Sequence, residues 1–137
     1  MRLLFLLPAA LGGLAFAAPA QAGGSDSVGI RISLTIPEVC DIRADDFFLD
    51  PTSGTVIGQI AESCNSGRGF QILASHRPLG EDESVEVSYG SQQANLDDSG
   101  LSQIAFRYGP RHDMVPVSIT PILLAEAISV SFSLTPV

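Results

Sequence analysis

The chain has 137 residues, with seven arginines, no lysine and 15 carboxylates, for a formal net charge of −8. An acidic chain without basic clusters is a poor partner for nucleic acid or an anionic membrane surface, and no nucleic acid is expected. Its size limits it to one small domain with a modest core.

Residues 1–22 read as a secretory signal. Arg2 supplies the positive start, residues 3–18 form an apolar run, and Ala20, Gln21 and Ala22 form an A-x-A cleavage site. The mature chain is then expected to begin near Gly23. No later segment approaches the roughly 20 unbroken apolar residues of a membrane span. A secreted route implies an oxidising compartment, so the two cysteines, Cys40 and Cys64, are expected to pair. On the chain-entropy model, closing such a loop contributes about 3–4 kcal/mol.

Residues 28–36 follow the signal. Val28, Ile30, Ile32, Leu34 and Ile36 alternate with Gly29, Arg31, Ser33 and Thr35, which is the period of a strand with one buried face. Further strands are expected at 39–49, 55–64 and 70–75, with turns at 51–54 and 65–69. Residues 78–82 read as a loop. Val85, Val87 and Tyr89 alternate with Glu86 and Ser88. A polar connection over 90–100 leads to Ile104, Phe106 and Tyr108. Val115, Val117 and Ile119 alternate around Pro116, which is expected at an edge or a bulge, and Pro121 is expected to end that run. A short helix is expected at 122–127. Ile128, Val130, Phe132 and Leu134 then alternate with Ser129, Ser131, Ser133 and Thr135. Many short strands separated by turns indicate an all-β sandwich.

Site chemistry is sparse. His76 with Asp82, or His112 with Asp113, can be drawn as a dyad, but no nucleophile motif accompanies either. Both histidines lie beside turns and read as surface imidazoles. Asp45–Asp46, Glu81–Asp82–Glu83 and Asp97–Asp98 are acidic clusters without the spacing of a calcium loop. They read as solvated loop charge. Neither catalytic residues nor a metal or cofactor is expected, and the chain is not read as an enzyme.

An immunoglobulin-type sandwich carries one more strand after the position that residues 126–135 would occupy. The chain therefore shows a spare alternating strand at 28–36 and an expected vacancy beside 128–134. Strand addition between neighbouring molecules satisfies both.

At this point the residues resemble the subunits of chaperone–usher pili, in particular the archaic type that includes spore-coat-U-like proteins. Three segments carry the resemblance: VGIRISLTIPEVC at 28–40, ESCNSG at 62–67 followed by GFQIL at 69–73, and AISVSFSLT at 127–135 preceded by MVPVSI at 114–119. The resemblance implies an incomplete immunoglobulin-like β-sandwich completed by donor-strand exchange. It implies a donor-strand extension at 23–37 and a sandwich domain at 38–137. Val28, Ile30, Ile32, Leu34 and Ile36 would be the donor side chains. Cys40 and Cys64 would bridge the first two strands, and Ile128, Val130, Phe132 and Leu134 would line the acceptor groove. Its implied partners are neighbouring pilus subunits, in a homo- or hetero-polymer, a periplasmic chaperone and an outer-membrane usher. Its implied route is through the periplasm to a fimbrium at the cell surface, supporting adhesion or biofilm formation. Two features depart from the pattern: many pilins carry an aromatic close to the C-terminus, where this chain reads Thr135, Pro136, Val137, and the chain is short for an archaic subunit. The alternative reading is a self-contained secreted β-sandwich that binds a carbohydrate or protein through loops 78–83 and 90–100.

Overall fold

The computed structural model describes residues 29–137, so the signal segment and Val28 lie outside the described residues. The chain divides into two units, Met1–Leu34 and Thr35–Val137. In the first, residues 29–34 have no regular secondary structure. The second holds nine strands: β1 (Cys40–Arg43), β2 (Phe47–Leu49), β3 (Val56–Cys64), β4 (Phe70–Ser75), β5 (Ser84–Tyr89), β6 (Gln92–Asn95), β7 (Leu101–Arg107), β8 (Arg111–Leu123) and β9 (Ile128–Pro136). They form two antiparallel sheets, ordered β1-β3-β8-β5-β6 and β2-β9-β4-β7. No helix occurs among the described residues.

Period-two alternation builds the core. One sheet contributes Ile60, Val85, Val87, Tyr89, Val115, Val117 and Ile119; the other contributes Leu49, Phe70, Ile72, Ala74, Ile128 and Val130. All are buried in one continuous cluster. At β7 the alternation breaks, because Ile104 and Ala105 are both buried. A register shift against β4 at Ile72/Leu73 supplies the extra residue of a bulge.

Several expectations are corrected. Residues 29–39 are not in a strand. The expected strand over 39–49 is two strands in different sheets: β1 pairs with β3, and β2 pairs with β9. The connection over 90–100 contains β6, paired with β5. The expected helix at 122–127 does not form. Ile122 and Leu123 end β8 instead, and Pro121 lies inside that strand. Glu83 ties down the rest of that segment: its carboxylate accepts the amides of Ala125 and Glu126. Arg77 grips the same carboxylate with two bonds of 2.6 and 2.7 Å and donates to the carbonyls of Glu126 and Ala127. That pairing, with the Gly80 and Ala125 amides, holds the Glu83 carboxyl well below the usual carboxylate range.

Pro116 sits on β8, in the middle of the five-stranded sheet, and not at an outer edge. Its carbonyl accepts the Gly90 amide. The ring nitrogen of the same residue faces the same flank, where β5 has already ended at Tyr89. The missing N–H therefore falls where no ladder bond is due.

Phe47 anchors the short β2. Its ring lies over Gly58 of β3, and a Cβ built at Gly58 would stand 2.7 Å from Phe47 Cε1 and 2.8 Å from Cζ. Gly58→Ala is expected to cost about 1–3 kcal/mol in urea unfolding through overpacking. Gly54→Ala, where a Cβ meets nothing within 4 Å, is the control and is expected to be near neutral.

Candidate functional site: an open seam between β1 and β9

Strand β9 spans Ile128–Pro136, but β2 covers only part of one flank. Phe47, Phe48 and Leu49 pair with Val130, Ser129 and Ile128, and there β2 stops. The other flank is paired with β4 from Ser131 to Pro136. Residues 131–136 therefore have a ladder on one side and no strand partner on the other.

The inward side chains of β9 report the same boundary. Beneath β2, Ile128 and Val130 are buried; beyond it, Phe132 and Leu134 are only partly so. Across the seam, β1 turns Cys40 and Ile42 inward, and both are half-buried. Residues of β1 and β9 approach within 8 Å between Cα atoms, yet no register pairs the two strands. Four apolar side chains thus flank a strip that neither sheet covers.

The other seam, between β6 and β7, is closed by side-chain bonds. Gln92 of β6 accepts the Phe106 amide at 3.1 Å and donates to the Phe106 carbonyl at 2.9 Å. The Asp97 amide donates to Ser102 Oγ at 2.8 Å. The sandwich is therefore laced along one side and open along the other.

Two ties hold the start of β1. Cys40 and Cys64 form the disulfide, directly across the β1–β3 ladder. Asn65 accepts the Val39 amide through Oδ1 and donates to the Pro37 carbonyl through Nδ2, at 2.6 and 2.8 Å. Before these ties, Ile30, Ile32, Leu34 and Ile36 are all exposed, at 83, 86, 81 and 73 %. Of the expected donor residues, Val28 lies outside the described residues. The expected groove residues Ile128 and Val130 lie beneath β2, whereas Phe132 and Leu134 border the open strip.

Beneath the strip runs an aromatic and ionic chain. Phe132 meets Phe47 edge-on at 5.7 Å and Tyr89 at 6.3 Å between centroids. The Tyr89 hydroxyl donates to Glu62 Oε2 at 2.7 Å, and Arg107 donates to Glu62 Oε1 at 2.8 and 3.0 Å. Burial, then the bond to Glu62, pushes the Tyr89 phenol far above its ordinary range. Glu62 is buried and charged, so Arg107 is its required partner. Sequence reasoning passed over this cluster, although Glu62 shares the parity of Ile60 and Cys64 on β3.

The histidines do not form the drawn dyads. His76 Nδ1–H donates to the Arg77 carbonyl, and Nε2 shares a hydrogen bond of 2.8 Å with Ser102 Oγ. His76 is half-buried and not a free surface imidazole, and Ser102 is buried. His112 is exposed on β8, and the Asp113 carboxylate faces Arg111. Asp97 accepts the Ser99 amide and hydroxyl in a turn-forming role. Among the described residues, no three His, Cys, Asp or Glu side chains converge in a way that would hold a metal ion.

Comparison with protein-family models, with curated proteins and with solved structures finds no match to this chain.

Arg107→Ala takes the guanidinium away from the buried Glu62 carboxyl and leaves it the Tyr89 hydroxyl alone. It is expected to cost about 3–5 kcal/mol in urea unfolding. The double variant Glu62→Leu with Arg107→Leu, which removes both charges, is expected to lose markedly less.

Proposed function

We propose that this chain is a structural subunit of a surface fimbria, assembled by donor-strand complementation along a chaperone–usher route. In this reading the sandwich is immunoglobulin-like and lacks one strand. The observation that carries it is the uncovered flank of β9, bordered by half-buried Phe132, Leu134 and Ile42. Support comes also from residues 29–36, which have strand periodicity, no strand partner and four exposed large apolar side chains.

The chemistry of the two parts is complementary. An extended segment has free amides and carbonyls, and so does the open flank of β9. Each large apolar side chain buried contributes about 1.5–3 kcal/mol, so a donor row supplies on the order of 10 kcal/mol before ordering costs. The ladder adds about 1 kcal/mol net per hydrogen bond. Within one fibre, Ile30, Ile32, Leu34 and Ile36 of one copy would fill the strip of the next. Adhesion or biofilm formation follows from that assembly.

The secreted chain, produced with a periplasmic chaperone and usher, is expected to yield an SDS-resistant ladder that collapses on boiling. Ile32→Asp, which places a charge in the middle of the donor row, is expected to abolish the ladder while the subunit stays folded with its chaperone. A chain that remains a stable monomer with or without residues 23–36 would overturn the proposal.

A further inference from the structure

We infer that Asn65 is a latch that keeps residues 29–36 out of the open strip of their own chain and so directs them to the strip of a neighbour. The inference rests on the reading of those residues as the donor row.

One chain carries both a donor row and an acceptor strip, and its own row has the advantage of proximity. A segment on a short linker competes at an effective concentration on the order of millimolar, which falls to nothing only where the linker cannot reach. The linker here is residues 37–39, between Ile36 and the start of β1 at Cys40. Strand β1 borders the strip, so a chain reversal within 37–39 would lay the row along β1 and into the strip beside it. Exchange between molecules therefore requires that this reversal be blocked.

Asn65 blocks it from the opposite flank. Strand β1 is the last of its sheet, with β3 on one side and the open seam on the other. Asn65 follows β3 directly and carries the β1–β3 ladder past its end. Its backbone amide donates to the Val39 carbonyl at 3.1 Å. Its side chain accepts the Val39 amide at 2.6 Å and donates to the Pro37 carbonyl at 2.8 Å. A primary amide has the donor and acceptor of a peptide group, so Asn65 stands in for further residues of β3. Both backbone groups of Val39 and the carbonyl of Pro37 are thus engaged on the β3 side, and Pro37 has no amide to offer the seam. The Pro37 ring also fixes its own φ and restricts Ile36 to an extended backbone. The Cys40–Cys64 disulfide closes the strap.

The test compares chains beginning at residue 23: the unaltered sequence, Asn65→Ala, and the milder Asn65→Asp, which keeps an acceptor for the Val39 amide but no donor for the Pro37 carbonyl. Asn65→Ala is also combined with Ile32→Asp, which spoils the donor row. Hydrogen exchange is read in dilute monomer over a concentration series, at the Val39 amide and at the open-flank amides of residues 131–136. Asn65→Ala is expected to speed exchange at Val39 by about fivefold or more and to slow the open-flank amides by about tenfold or more. That slowing is expected to be the same at every concentration, as an intramolecular event requires, and to vanish with Ile32→Asp. With chaperone and usher, Asn65→Ala is expected to lose most of the SDS-resistant ladder, and Asn65→Asp to fall between it and the unaltered chain. Amides bonded to β4 report that the sandwich is intact; where Asn65→Ala loses their protection, Asn65→Asp carries the test. Open-flank amides that stay fast in a folded variant, slowing that appears only as concentration rises, or an unaltered monomer whose flank is already covered by its own row would each overturn the inference. The monomer measurement needs no chaperone or usher, so it decides on Asn65 even where the unaltered chain gives no ladder, a result that overturns the fimbrial reading alone.

Discussion

Everything at the open seam depends on how far β2 reaches along β9. The segment 40–49 leaves one sheet after Arg43 and enters the other at Phe47. Its three-residue contact with β9 ends at Val130. Had β2 run further, Phe132 and Leu134 would be as buried as Ile128 and Val130. The crossing is set by packing: Phe47 sits in the space that Gly58 leaves free. Cys40–Cys64 and Asn65 fix the other end of the segment to β3 and to residue 65. Between these anchors the chain is committed, and the strip beside residues 131–136 stays bare.

The asymmetry of the two seams carries physical meaning. A bare strand edge exposes unpaired amides and carbonyls and invites association. One seam is stitched by Gln92 and by the Asp97–Ser102 bond; its opposite has no such bond between β1 and β9. The ionic chain below the seam, Tyr89–Glu62–Arg107, joins strands of both sheets.

Much of the architecture was legible from alternation alone. Val85/Val87/Tyr89, Phe70/Ile72/Ala74 and Ile128/Val130 point inward as their period requires, and the two cysteines pair as expected. What escaped has identifiable causes. Period two does not reveal which sheet a strand joins, so 39–49 read as one strand although it divides between two. Residues 28–36 have strand period, but period cannot supply a neighbour, and residues 29–36 have none. Side chains that act as backbone partners leave no pattern: Gln92 lies in a polar stretch, and Glu83 and Arg77 in a loop. The expected helix gives way because Ile122 and Leu123 continue β8. Pro116 escaped for a local reason, because a central strand still has a free flank where its neighbour ends.

The most direct measurement is hydrogen exchange on the monomeric Ile32→Asp chain, with and without a synthetic peptide spanning residues 27–37 of the unaltered sequence. Without peptide, amides of residues 131–136 that face the open flank are expected to exchange rapidly, while those bonded to β4 are protected. With peptide, the open-flank amides are expected to slow by about a hundredfold or more, as a multi-bond ladder requires. Equal rates with and without peptide, or open-flank amides already protected in the free chain, would contradict the open seam as the acceptor of that strand.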